Sequence, residues 1–135
     1  MSLAGCSDMA DPAPPLVFGE VRDGCGVTVL TNDVVDEERL QAGVGCLIEK
    51  VDDGEPVVWD LLVPTVEGDP ILYRFEGDGA EITIIEDTTR DAFGSGAVVV
   101  RTCDQIDGTG FIPSGSDCTD AGGEPFDLPG EIWPP

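Results

Sequence analysis

The chain contains no histidine. That removes Ser–His and Cys–His activation of a nucleophile. Lys50 is the only lysine, and six basic residues stand against 28 acidic ones, for a net charge of −22. With no basic patch to neutralise phosphates, nucleic acid is disfavoured as a partner. No apolar run approaches the roughly 18 residues of a membrane-spanning helix. No CxxC spacing supports a zinc site, and no EF-hand spacing supplies the roughly 6–8 oxygen ligands that calcium takes. Paired carboxylates can perform acid–base work, but among so many surface acids a chance pair is expected. The expectation is a non-catalytic protein with no cofactor and no metal.

What is present describes one domain. The 135 residues and 41% apolar content, with alternating apolar runs, give a modest core and argue against disorder. The acidic surplus has two readings: a salt-adapted surface that stays solvated, or a dedicated cation site. Self-repulsion among the acids is screened in salt. The salt-adapted reading therefore predicts a melting temperature that rises between low and molar sodium chloride. A flat or falling melting temperature would count against it.

Leu3-Ala4-Gly5-Cys6 is similar to a bacterial lipobox, in which the cysteine becomes the lipidated first residue. The small residues fit the logic of a cleavage site. Met1-Ser2-Leu3 is consistent with vector sequence standing in for a removed signal peptide. Ser7 to Pro15, with Asp8, Asp11, Pro12, Pro14 and Pro15, reads as a tether with little to bury. The chain divides into residues 1–15, a lipobox remnant and flexible tether, and residues 16–135, a single globular domain with a loop-rich C-terminal tail. The remaining cysteines, Cys25, Cys46, Cys103 and Cys118, are even in number, and an exported chain would use them as disulfides.

Four β-prone runs, 57–63, 71–75, 81–85 and 97–102, are punctuated by Gly, Asp and Pro and read as an antiparallel meander. Ile71, Tyr73 and Phe75 share one face, and Leu72 and Arg74 the other. Pro64 suits an edge or a bulge. Before the meander, Leu40, Val44, Leu47, Ile48 and Val51 recur at helical spacing. Asn32, Asp33 or Asp36 can cap this helix, Glu37 and Glu38 suit its first turn, and Gly54 can stop it. Gly43 flanks the apolar stripe, where a missing side chain lets the helix approach the sheet. A rival reading makes Val44 to Val51 a strand turning at Asp52-Asp53-Gly54, but the apolar residues fit the helical period over four positions. Leu16 to Phe18 and Val27 to Leu30 would add a strand or hairpin. Asp107 to Gly123 reads as loop, and Phe126, Leu128, Ile132 and Trp133 as a docked extended tail. The fold predicted is α+β: one helix packed on a four-stranded antiparallel meander, cystatin-like in layout.

The helix sets the cysteine pairing. At 100° per residue, Cys46 falls on a flank away from the sheet, where the segment carrying Cys25 can dock. Cys103 ends the last strand, and Cys118 lies in the polar segment that follows. The expected bridges are Cys25–Cys46 and Cys103–Cys118. The alternative, Cys46–Cys103, requires a rotated helix, and the thiols can also remain reduced.

The candidate ligand loop is Asp87, Arg90 and Asp91, within residues 86–96. The acids could hold a cation or polar ligand, with Arg90 as an anion contact. In the structural reading Asp87 caps a short turn, Arg90 balances nearby acids and Phe93 anchors the loop in the core. Asp104, Asp107, Asp117 and Asp120 form a second acidic cluster. Trp59 and Tyr73 read as core.

Thr65-Val66-Glu67-Gly68-Asp69-Pro70-Ile71-Leu72 and Asp87-Thr88-Thr89-Arg90-Asp91-Ala92-Phe93-Gly94-Ser95-Gly96, followed by Thr102-Cys103, resemble a family of small uncharacterised lipoproteins known mainly from Gram-positive bacteria. Glu38-Arg39-Leu40 in a capped helix also looks like that pattern. The likeness spans roughly residues 33 to 106. The added cysteines, the acidic bias and the tail beyond Ile106 depart from it. The resemblance implies an extracytoplasmic, membrane-anchored lipoprotein and no activity. Together these features predict a lipid-anchored module that binds another envelope or secreted protein and touches the membrane only through its anchor. The alternative is a small-ligand or calcium-binding envelope protein.

Overall fold

The computed structural model describes residues 16–20, 24–31, 36–94 and 96–133. The helical period does produce a helix: α1 spans Asp36–Asp52 and buries Leu40, Gly43, Val44 and Leu47. Asp36, Glu37 and Glu38 occupy its first turn and Lys50 its last, matching the helix dipole at both ends. The Asp36 carboxylate accepts the Thr31 backbone N–H at 2.9 and 3.0 Å, which ties the incoming chain to the first turn. The other two cap candidates, Asn32 and Asp33, lie outside the described residues. At the far end Gly54 takes φ 72°. Glu55 N–H donates to the Lys50 carbonyl and Gly54 N–H to the Val51 carbonyl, both at 3.0 Å. This paired closure needs a left-handed residue at Gly54.

Among the described residues the sheet has six strands, not the four expected. They are β1 (Gly26–Val29), β2 (Val57–Pro64), β3 (Pro70–Gly77), β4 (Ile82–Asp87), β5 (Val98–Asp107) and β6 (Ser114–Gly122), in the spatial order of the sequence. The β2–β5 meander is antiparallel as read. β1 joins β2 in parallel, which is possible because α1 supplies the long crossover that parallel neighbours require. Pro64 therefore ends a strand with neighbours on both sides. It sits opposite Pro70 at the closing end of the β2–β3 hairpin, beyond the reach of β1, whose last residue, Val29, pairs with Leu62. There its missing N–H costs no ladder bond.

The segment read as loop, 107–123, contains β6. Its sequence, SGSDCTDAG, has no apolar alternation to betray it. An edge strand that faces water needs only main-chain pairing, which β5 supplies from Val99 to Asp107. The ladder skips Asp104–Asp117, where Asp117 adopts φ 55°. This interruption, with the acids beside it, blunts the free edge against pairing with other chains.

Both faces of the sheet are covered, one by the helix and the other by the segments before β1 and after β6. Under α1 lie Val57, Trp59, Leu61, Phe75, Ile82 and Ile84. On the second face Leu62, Leu72, Ile85 and Val98 are covered by Phe18 from the N-terminal segment and Phe126 from the C-terminal one. The tail docks, with Leu128, Ile132 and Trp133 against the same cluster, but it is not extended throughout: the Pro129 carbonyl accepts Ile132 N–H at 3.1 Å and Trp133 N–H at 3.3 Å in a turn.

Gly43 explains how close the helix lies. A Cβ there would stand 2.2 Å from Cζ2 of Trp59. Trp59 is fully buried, stacked on Phe75 at 5.2 Å and held by its indole N–H to Thr28 Oγ1 at 3.0 Å, so it has little freedom to yield. Gly43→Ala should destabilise the domain by about 1–3 kcal/mol through overpacking, although alanine is the better helix former by about 1 kcal/mol. Gly45, with nothing within 4 Å of its added Cβ, should show the opposite sign. Urea midpoints of the two variants check this. A stabilised Gly43→Ala would contradict the packing.

Candidate functional site

Cys6, the expected lipidation site, lies outside the described residues. Cys25 is bonded to Cys46, 5.8 Å apart at Cα, and Cys103 to Cys118, 4.0 Å apart at Cα. Both are the expected pairs, the first from the helix argument and the second from the polar segment that follows Cys103. The second bridge has a different setting from the one expected. It joins directly opposed residues of β5 and β6 instead of tethering a loop.

The proposed ligand loop divides. Asp87 is almost wholly buried, at 1% exposure. One of its oxygens accepts from Thr89 N–H at 2.9 Å and Thr89 Oγ1 at 2.6 Å. The other accepts from Phe126 N–H at 2.8 Å and Arg90 Nη1 at 3.2 Å. Arg90 Nη2 also donates to the Phe126 carbonyl at 2.7 Å. Asp87 and Arg90 thus clamp both polar groups of one residue in the C-terminal segment. Asp91 takes no part in this clamp; its carboxylate accepts Phe93 N–H at 3.0 Å within its own turn. Asp87 thus caps its own turn and pairs with Arg90, the contacts of the structural reading.

Sequence reasoning missed the other buried acid. Asp60 is completely buried and faces Arg74 across the β2–β3 ladder. The pair is bidentate, with Arg74 Nε on Oδ1 at 2.7 Å and Nη2 on Oδ2 at 2.8 Å. Arg74 Nη2 also donates to the Val17 carbonyl at 2.9 Å, while Gly19 N–H donates to Asp60 Oδ2 at 2.7 Å. The guanidinium lies 5.4 Å from the Phe126 ring centroid. Hydrogen bonding to Asp60 raises the Arg74 pKa further above its ordinary value, against the effect of burial. The signal was legible: each of two apolar strand runs, 57–63 and 71–75, carries a single charge on the face that Leu62 and Leu72 bury.

Phe93 contradicts the expected anchor. It is 80% exposed. The loop does not need its burial, because Thr88 bonds to the Ala97 carbonyl and Asp91 closes the turn around it. The β2–β3 turn lies at the same end of the sheet, and it presents Val66 at 96% exposure. Asp69 Oδ2 accepts Ala92 N–H at 3.0 Å, joining the two. The same two loops contribute Gly68, Asp69 and Arg90 to a groove of about 480 Å³ whose other walls are Pro70, Leu128 and Trp133, with Gly130; Val66 and Phe93 do not line it.

The second acidic cluster is spread along β5 and β6. Asp107 caps Thr109 N–H at 2.9 Å, which holds its carboxyl below the usual range. Asp120 pairs with Arg101 at 3.6 Å, and Arg101 also meets Glu86 at 3.6 Å. Burial, then the charge and hydrogen bond of Glu86, push the Tyr73 phenol above its ordinary value. Among the described residues no group of three or more Cys, Asp or Glu is placed to share a metal ion. No described helix is long and apolar enough to cross a membrane.

Residues 48–110 match the model of a family described as a domain of unknown function (DUF4362). The matched region takes in the end of α1 and β2 to β5, and with them both loops at the Phe93 end of the sheet. No curated protein and no solved structure matches the chain.

Proposed function

We propose that this chain is a lipid-anchored extracytoplasmic module that binds another envelope or secreted protein without catalysis, using the end of the sheet that carries Val66 and Phe93. The exposure of Phe93 supports this reading most strongly. A phenylalanine held outward by a hydrogen-bonded turn gains nothing in the isolated domain, and aromatic side chains beside a groove are the usual anchors of protein interfaces. Two disulfides fit an oxidising compartment. The buried carboxylates are fully engaged in ion pairs and backbone caps, which suits a scaffold better than an acid–base site. The lipid anchor rests on the likeness of residues 3–6 to a lipobox.

The test is affinity capture from envelope extract in high salt, with the intact protein and with Val66→Ser/Phe93→Ser as bait. The variant should keep its melting temperature, since neither side chain is buried, and should lose the protein that the parent chain retains. Equal retention by both baits would refute the assigned surface. Lipid labelling of the full-length chain, abolished by Cys6→Ala, checks the anchor separately.

A further inference from the structure

We infer that the groove between Arg90 and Trp133 receives an extended polypeptide segment that pairs an apolar anchor with basic flanks, an inference that rests on reading this end of the sheet as the docking surface. The groove, about 480 Å³, accommodates one or two large side chains but not a folded element. Pro70, Leu128 and Trp133 supply apolar walls. Gly68 and Gly130 leave open space where any other residue would place a Cβ, so a partner main chain can approach closely there.

Charge selects the flanks. Among the described residues Arg90 is the only cation lining the groove, and its charge is already met by buried Asp87 at 3.2 Å and by the Phe126 carbonyl at 2.7 Å. Asp69 lines the groove, and the segments that form it also carry Glu67, Asp91, Asp127 and Glu131. A basic partner is therefore drawn in and oriented, whereas a like-charged one is repelled. The same argument opposes a second copy of this chain, since two molecules of net charge −22 would bring their acidic rims together.

Three synthetic twelve-residue peptides test the inference by fluorescence anisotropy: a Leu-Phe centre flanked by lysines, the same centre flanked by glutamates, and a Ser-Ser centre flanked by lysines. The first should bind at least about tenfold more tightly than either of the others, and Trp133→Ser, which removes an apolar wall of the groove, should weaken it by about tenfold, as hot-spot truncations do. Its affinity should fall with sodium chloride. Tight binding of the glutamate-flanked peptide, equal binding of the Ser-Ser peptide, indifference to Trp133→Ser, or binding of none of the three would each overturn it. Any of these could coexist with Phe93-dependent capture from envelope extract, so loss of the peptide preference is distinguishable from loss of the docking surface itself.

Discussion

Reducing both disulfides should remove about 6 kcal/mol of stability, roughly 3 kcal/mol for each bridge in the chain-entropy model. The bridges close loops with sequence separations of 21 and 15 residues. A domain of this size has about 5–15 kcal/mol in total, and net charge of −22 lowers that figure in dilute buffer. The reduced protein should be largely unfolded at low ionic strength. The two bridges should fail differently. Cys25–Cys46 fastens the segment entering β1 to α1, so Cys25→Ala/Cys46→Ala should loosen the helix and the sheet together. Cys103–Cys118 fastens β6, whose residues are mostly exposed and which offers no apolar side chain larger than Ala121 besides its cysteine. Cys103→Ser/Cys118→Ser should therefore release β6 amides to rapid hydrogen exchange while β2 to β4 stay protected. Thermal scans with and without dithiothreitol give the magnitude. A reduced protein melting within a few degrees of the oxidised one would contradict the assignment.

The helix and the meander were legible because each follows one period over many residues. The stripe from Leu40 to Val51 repeats at the helical interval, and Ile71 to Phe75 and Ile82 to Ile85 alternate between punctuating turns. The loop holding Asp87 and Arg90 was also legible as a cluster. β6 was not, since nothing in Ser114 to Gly122 is selected by burial; its conformation comes from the strand beside it. The parallel β1 was seen only as a β-prone run, because strand direction depends on where α1 returns the chain and not on the run itself. Phe93 was misread for a related reason. An aromatic residue in a loop is assigned to the core by hydrophobicity, yet the hydrogen bonds of Thr88 and Asp91 close the turn without it. The second layer of core went unread because its cover comes from Phe18 and Phe126, which lie far apart in sequence and meet edge to face at 6.0 Å.

Removing either partner of the Asp60–Arg74 pair should cost about 3–5 kcal/mol, since it leaves an uncompensated charge where water cannot reach. For a domain of this length that corresponds to a fall in melting temperature of roughly 10–18 °C. Asp60→Ala strands the Arg74 guanidinium and also deprives Gly19 N–H of its acceptor. Arg74→Ala strands the Asp60 carboxylate and frees the Val17 carbonyl. Replacing both, as Asp60→Leu/Arg74→Met, should cost much less than the sum of the single losses, because paired charges in an apolar site are often matched or bettered by hydrocarbon of similar volume. The double variant should still differ from the parent in one respect. The pair is what ties the main chain of Val17 and Gly19 to the middle of the sheet, so the Gly19 amide should exchange faster even where overall stability recovers. Urea denaturation of the three variants forms a double-mutant cycle, and hydrogen exchange at Gly19 reads the docking. Additive losses would show that the two side chains act independently, and an unchanged Gly19 exchange rate would show that Phe18 packing alone holds the N-terminal segment in place.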